Sequence, residues 1–188
     1  MTIIDNLKYA IGIDLGGTFV KSALVCETGA IRFTHMLPIG VEATKHIILD
    51  TIEQIIQTTL FEAFEKELEV VGIGIGTPGI ILDGVVIGAA ENLPGWEQVD
   101  LSGYFSKRFK LPVNIDNDAN LMAYGELHYG AARGCSDVVC LTIGTGIGGA
   151  IIINGAVYSG YKNRGGELGH IVIEHNGTDC NCGGKGCL

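Results

Sequence analysis

Apolar and polar residues alternate along Tyr9–Leu15, Val20–Cys26 and Ile31–Leu37, a pattern that predicts three β-strands. The links between them, Gly16-Gly17 and Thr28-Gly29-Ala30, are short enough to favour antiparallel pairing. The period then lengthens. Ile48, Ile52, Ile55, Ile56, Leu60 and Phe64 recur at helical spacing, which predicts one long helix from about Glu42 to Lys66. Val70–Gly76 reads as a fully buried fourth strand, followed by an excursion through Asp83-Gly84 and Glu91-Asn92-Leu93-Pro94-Gly95-Trp96. Ser102 is expected to cap a short helix ending near Lys110, and Pro112–Asp116 to form a fifth strand. The predicted order is βββαβαβ.

A helix from Ala119 to Gly130 leads into the second half, which begins as the first half does. Asp137–Gly144 reads as a strand entering a glycine turn, and Ala150–Ile153 as the strand leaving it. Asn154-Gly155 is a strong two-residue hairpin signal leading to Ala156–Tyr158. Ile11-Gly12-Ile13-Asp14-Leu15-Gly16-Gly17-Thr18 and Leu141-Thr142-Ile143-Gly144-Thr145-Gly146-Ile147-Gly148-Gly149 look like two copies of one glycine-tipped hairpin. The first copy of the repeat occupies Tyr9 to Asp116. The second, starting near Asp137, leaves no residues before Leu188 for its own long helix and last strands. The expectation is therefore the front part of a longer protein, with residues 1–118 an N-terminal α/β lobe and 119–188 the start of a second, incomplete lobe. The other reading makes the second half a small β-cap of its own.

Composition narrows the function classes. Glycine supplies 29 of 188 residues, against 4 prolines. There is no Gly-X-Y period, and the glycines cluster where backbone must turn or approach a ligand. Hydrophobic residues make up 47%, enough for a core and too many for a disordered chain. Twelve Lys and Arg stand against 21 Asp and Glu, a net charge of −9. Without clustered cations, nucleic acid and acidic membranes are poor partners. The stretch Val70 to Ala90 is interrupted by Pro78, Asp83 and several glycines, so it reads as strands and not as a membrane span. Met1-Thr2-Ile3-Ile4-Asp5-Asn6 lacks the basic and apolar regions of a signal peptide, and the expected location is the cytoplasm. There a group of cysteines points to a metal before a disulfide framework.

Four places carry candidate chemistry. Asp14-Leu15-Gly16-Gly17-Thr18 ends a buried strand, with Lys21 three residues on. Amides freed by the glycines can cradle a polyphosphate, the aspartate can hold Mg²⁺ through water, and the threonine can bond a phosphate oxygen. An ordinary Gly-Gly hairpin fits the same residues equally well. Gly144-Thr145-Gly146-Ile147-Gly148-Gly149 matches G-x-G-x-x-G, but the dinucleotide fingerprint needs a helix to open there. Ala150-Ile151-Ile152-Ile153-Asn154-Gly155 instead reads as strand and hairpin turn, which favours a second phosphate-gripping hairpin. Asn117-Asp118-Ala119-Asn120 comes after a buried strand and opens a helix. Asp118 is read either as a helix cap or as a base that takes a proton from a substrate hydroxyl. Cys180-Asn181-Cys182-Gly183-Gly184-Lys185-Gly186-Cys187 with His170 offers three thiolates and an imidazole, a closed tetrahedral zinc set. Glu167 and His170, among glycines, can also bind hydroxyl groups of a polar ligand. Cys26, Cys135 and Cys140 read as lone core thiols.

With Gly74-Ile75-Gly76-Thr77-Pro78-Gly79 added, these segments together resemble a ROK-family sugar kinase, within the actin-like/sugar-kinase ATPase superfamily. The resemblance runs from about Tyr9 to the last residue. It implies an α/β, actin-like/ribonuclease H-like ATPase fold of βββαβα units in two lobes, the second truncated here. It implies ATP, Mg²⁺ and structural Zn²⁺ as cofactors, a hexose as substrate, and a homodimer in the full-length form. In the family the two glycine hairpins hold ATP phosphates across an interdomain cleft. They correspond to Asp14, Gly16, Gly17, Thr18 and Lys21 in the first, and Gly144, Thr145 and Gly146 in the second. Asn92, Asn117, Asp118, Glu167 and His170 match its sugar-binding positions, Asp118 its catalytic base, and His170, Cys180, Cys182 and Cys187 its zinc ligands. The family motif continues G-C-x-E with a sugar-binding glutamate, whereas this sequence ends at Gly186-Cys187-Leu188. The resemblance thus implies a kinase, and the residue count implies a piece inactive alone.

The leading expectation is phosphoryl transfer from ATP to a hexose, glucose first, at O6. An N-acetylhexosamine or another hexose is the near alternative. The family also contains sugar-responsive repressors with an N-terminal helix-turn-helix, for which a first strand near Tyr9 leaves no room. A non-catalytic zinc-stabilised sugar-binding module is the third reading.

Overall fold

Lys8–Leu15 (β1), Phe19–Cys26 (β2) and Ile31–Pro38 (β3) form an antiparallel meander in the computed structural model, which describes residues 7–40, 43–88, 90, 93–144 and 146–188. The chain divides into two compact units, Met1–Asp118 and Ala119–Leu188.

In the first unit, helix α1 (Lys45–Glu65) carries the chain from β3 to Glu69–Thr77 (β4), which pairs parallel to β1. Thr44 caps α1, its side-chain oxygen accepting from the Ile47 amide. Glu42, where the sequence pattern begins the helix, lies outside the described residues. Ile48, Ile52, Ile55 and Ile56 are fully buried and pack α1 onto the sheet. Each such side chain is worth about 1.5–3 kcal/mol. A buried polar pair in that contact is satisfied, because the Ser22 and Thr59 hydroxyls hydrogen-bond at 2.9 Å. Val113–Asn117 (β8) adds a second parallel strand, giving the order β3-β2-β1-β4-β8.

Three expectations need correction here. Only the C-terminal half of β4 is buried, because β8 pairs with it from Ile73 onward and leaves Val71 exposed. The excursion after β4, to which the pattern assigned no elements, carries three short strands. Ile80–Leu82 (β5), Val85–Gly88 (β6) and Val99–Asp100 (β7) form a small antiparallel sheet, packed through Ile81, Val86 and Val99. Helix α2 (Leu101–Phe109) is capped by Asp100, whose carboxylate accepts from the Gly103 amide at 2.7 Å. The helix starts two residues earlier than a Ser102 cap would allow, and Leu101 is already buried in the core. Ser102 instead donates to the Val113 carbonyl at 2.8 Å.

Helix α3 (Asp118–Tyr129) leads into the second unit, where Val138–Ile143 (β9), Ile147–Ile153 (β10) and Ala156–Val157 (β11) form an antiparallel sheet in the order β11-β10-β9. Asn154 and Gly155 both have positive φ, as a two-residue hairpin turn requires. Strand β10 starts three residues before Ala150, since Gly148 and Gly149 already pair with Thr142 and Leu141. The core is small, built on Ala123, Cys140, Ala150 and Ile152, while Val139, Leu141 and Ile143 face outward along β9. Cys26 and Cys140 are buried as expected. Cys135 is not, because it lies before β9 in an exposed loop. Among the described residues, no helix is long and apolar enough to cross a membrane.

Candidate functional site

The first glycine tip is closed by one backbone bond, from the Gly16 amide to the Phe19 carbonyl at 3.0 Å. Asp14 and Lys21 flank it in register on β1 and β2, with Nζ 3.3 Å from Oδ2. Gly17, Thr18 and both charged side chains are exposed. The Thr18 carbonyl is tied back by the Ile39 amide at 2.9 Å, so the tip is anchored from behind and open in front.

Asn117 and Asp118 sit where β8 ends and α3 begins, at the carboxyl end of a parallel strand at the sheet edge, and α/β proteins place ligands at such strand ends. Thr77 is the register partner of Asn117. The Asn117 side-chain amide donates to the Gly79 carbonyl at 3.2 Å, and its backbone N–H to the Asp116 carboxylate at 2.7 Å. Asp118 is the first residue of α3, where the aligned peptide dipoles favour a negative charge. Asn92 lies outside the described residues.

In the second unit, the turn between β9 and β10 is closed by the Gly144 amide on the Gly146 carbonyl at 2.9 Å. The Thr142 hydroxyl accepts from Gly148 N–H at 3.1 Å. Thr145 lies outside the described residues. The tip runs directly into strand β10 and opens no helix, so the dinucleotide fingerprint is excluded by geometry as well as by pattern. A 3-10 turn, Leu168–His170, lies flat against β10. The packing depends on missing side chains: a Cβ on Gly149 would stand 2.6 Å from Leu168 Cβ, and one on Gly169 would overlap the Ile147 carbonyl. This contact brings the Glu167–His170 segment alongside β10.

His170, Cys180, Cys182 and Cys187 come together, their ligand atoms all within 4.8 Å of one another. Cys182 and Cys187 Sγ are 3.7 Å apart, and Cys180 Sγ is 3.7 Å from His170 Nδ1. A tetrahedral Zn²⁺ with Zn–S near 2.3 Å and Zn–N near 2.0 Å needs edges of about 3.8 and 3.5 Å, so the donors fit that ion in number, type and spacing. The loop holds this shape through Cys180 N–H on the Gly184 carbonyl at 2.9 Å and Gly186 N–H on the Thr178 carbonyl at 2.8 Å, with Val172 bridged to Cys187. Hydrogen bonds from the Cys182 amide and thiol, joined by those of Cys187 and His170, pull the Cys180 thiol down to about 7. Burial, together with its hydrogen-bonded and charged neighbours Cys180 and Cys182, pushes the Cys187 thiol up to about 11.

The ROK family model matches residues 10–188. The chain belongs to the ROK family. A glucokinase of Thermotoga maritima is 41% identical over 179 residues, covering 95% of this chain and 55% of that protein. A xylose repressor of Bacillus spizizenii is 36% identical over 190 residues, covering 98% and 48%. The crystal structure of a ROK family glucokinase from Streptomyces griseus, in complex with glucose and AMPPNP, superposes with a TM-score of 0.77 at 34% identity, covering 95% of this chain and 55% of that one. This ROK chain therefore spans about half the length of the relatives it matches. Its mixed α/β fold is that of the ROK sugar kinases, the actin-like ATPase fold. The relatives it matches include both glucokinases and xylose repressors. The pattern of residues missed two features of this fold, the hydrogen bond between Trp96 and Thr77 and the glycine contact between β10 and the 3-10 turn. The only hint of the first was Thr77-Pro78-Gly79 itself.

Proposed function

We propose that this chain forms the sugar-binding and catalytic part of an ATP-dependent hexose kinase, with glucose as first substrate and O6 as acceptor. The observation that supports it most is Asp118, placed at the carboxyl end of β8 beside an Asn117 held by Gly79, in a chain 41% identical to a glucokinase. Asp118 accepts the proton of the sugar hydroxyl while that oxygen forms a bond to the γ-phosphorus. The bond to the bridging oxygen breaks and ADP leaves. Amides at Gly17 and Thr18 offer donors for phosphate oxygens, the Gly16 and Gly144 amides being spent on closing their turns, and those at Thr145 and Gly146 offer a second set. Mg²⁺ bound through Asp14 would neutralise phosphate charge, with Lys21 beside it. Asn92, Asn117, Glu167 and His170 bind sugar hydroxyls. With Nδ1 turned to the thiols, the His170 ring keeps Nε2 for a substrate hydroxyl.

A sugar-responsive repressor is the second reading, favoured by the xylose repressor match over 98% of this chain. ATP consumption coupled to a panel of hexoses, run on the full-length gene product, tests the choice. Turnover with glucose supports the kinase. Hexose binding without turnover for any member of the panel overturns it.

A further inference from the structure

The turn Thr77-Pro78-Gly79 leaves β4 at the point where β8 delivers Asn117, since Thr77 and Asn117 are the last register pair of the two parallel strands. Both ends of that turn are tied. Thr77 is fully buried, and its hydroxyl accepts from Trp96 Nε1 at 2.8 Å while donating to the Pro78 carbonyl at 3.1 Å. The Gly79 carbonyl then accepts from the Asn117 side-chain amide at 3.2 Å. Backbone sterics hold the same turn: Gly79 has φ 105°, and a Cβ there would stand 2.7 Å from the Gly88 carbonyl. Trp96 is itself fixed, 1% exposed, its backbone N–H on the Leu93 carbonyl at 3.0 Å and the Leu93 backbone N–H on that of Ala90 at 2.9 Å.

A buried indole needs a partner for its N–H. An aliphatic core could have filled the space without that demand, so a tryptophan–threonine pair at this place acts on the turn as well as on packing. We infer that Trp96 and Thr77 are positioning residues: they clamp Pro78-Gly79, and through the Gly79 carbonyl they set the orientation of the Asn117 amide, one residue from Asp118. The inference rests on the hexose-kinase reading for its functional consequence, and on geometry alone for the clamp. It also couples the segment just after Asn92 in sequence to the end of β8.

The chain has one tryptophan, so its emission reports this place alone. Thr77→Val removes the hydroxyl at nearly constant volume, and Thr77→Ser restores it. In the free, folded protein the Asn117 side-chain amide resonance, assigned by its loss in Asn117→Asp, is expected to shift and exchange faster in Thr77→Val and to stay near wild type in Thr77→Ser. In the full-length gene product kcat is expected to fall about 10- to 100-fold in Thr77→Val with KM for ATP unchanged, the size of effect a misplaced reacting group produces. Trp96→Phe should move the Asn117 resonance in the same way. An unmoved amide in a folded Thr77→Val or Trp96→Phe overturns the clamp, and so does unfolding of both variants, which would make the pair core support only. If no hexose perturbs Trp96 emission or the Asn117 amide in the wild type, the kinase reading falls, while the comparison in free protein still decides the clamp.

Discussion

Asp14 and Lys21 stand directly opposite each other across the first hairpin, joined by a 3.3 Å ion pair that is more than half exposed at both ends. Such a pair contributes about 0–1 kcal/mol to folding. The β1–β2 ladder does not need it, because Leu15 and Val20 beside it are fully buried. Asp14→Asn and Lys21→Ala are therefore expected to leave the thermal midpoint within a few degrees of wild type. If the pair serves MgATP, the KM for MgATP rises at least tenfold in both variants of the full-length protein. Unchanged steady-state kinetics would return these residues to an ordinary hairpin.

Asp118→Asn separates the two roles open to that residue. At the first position of α3 asparagine gives up only a charge–dipole term of about 0.3–1 kcal/mol, so α3 should form and hexose affinity should persist. As a general base, however, Asp118 is worth about 10²- to 10⁴-fold in kcat. A rapid-quench or coupled assay with this variant at wild-type turnover would leave only the helix role.

Purified protein is expected to carry about one Zn²⁺ per chain, held by His170, Cys180, Cys182 and Cys187. Cys182→Ser should lose the metal and expose residues 171–188 to proteolysis, since apolar side chains there are exposed and the loop is otherwise held by backbone bonds and an exposed Lys185–Asp179 ion pair. Because the ligands bind deprotonated, metal content should fall as pH drops below neutrality. Elemental analysis of protein prepared without chelator checks both points; zinc-free, well-folded protein would sink the assignment.

The Asp137 carboxylate accepts from Ser136 Oγ at 2.7 Å and from Asn154 N–H at 3.0 Å, and these bonds hold its proton affinity below the usual carboxylate value. A lowered native value means the contribution is present above the unfolded carboxylate value, about pH 4, and is lost as pH falls through the native one. Asp137→Asn should therefore lower the thermal midpoint at pH 7 and converge with wild type once pH has fallen through the lowered native value. A pH-independent difference would show that the charge is not what ties the Asn154-Gly155 turn to the start of β9.

Gly169→Ala forces a methyl onto the Ile147 carbonyl. Overpacking of this kind costs about 1–3 kcal/mol, and it should push Leu168–His170 off β10. Faster amide exchange in 168–170 together with weaker zinc binding is the expected pair of readouts, because His170 belongs to both structures.

The alternation in β1, β2 and β3 and the helical spacing in α1 were legible because each element buries one face, so the period survives in the residues. Their boundaries fall within a residue or two of the pattern, apart from the α1 start at Glu42, outside the described residues. Strands β5, β6 and β7 were not legible, since two to four residues are too few for a period and Asp83-Gly84 reads as loop. Strand β10 hid its first residues behind Gly148-Gly149, which pair in the ladder without apolar side chains. The metal-type cluster was visible because its donors recur within a short loop. The Trp96–Thr77 bond was not, because it links residues 19 apart whose partnership depends on how β4 and the small sheet meet.

Glycines that look alike in the second half make opposite demands. Gly149 and Gly169 have no room for even a methyl group, whereas Gly144 and Gly146 have open space where one would stand, and neither sits in the left-handed region. Alanine at the first pair fails by eroding the population of folded molecules, which cells register as lost abundance. Alanine at the second pair should accumulate normally. Any growth defect it causes on a hexose must then come from what crowds that tip during turnover. On the hexose-kinase reading, a library scored twice, once for protein level and once for fitness, would thus outline the footprint of the phosphoryl donor from the intolerance of two residues whose added methyl groups would meet nothing among the described residues.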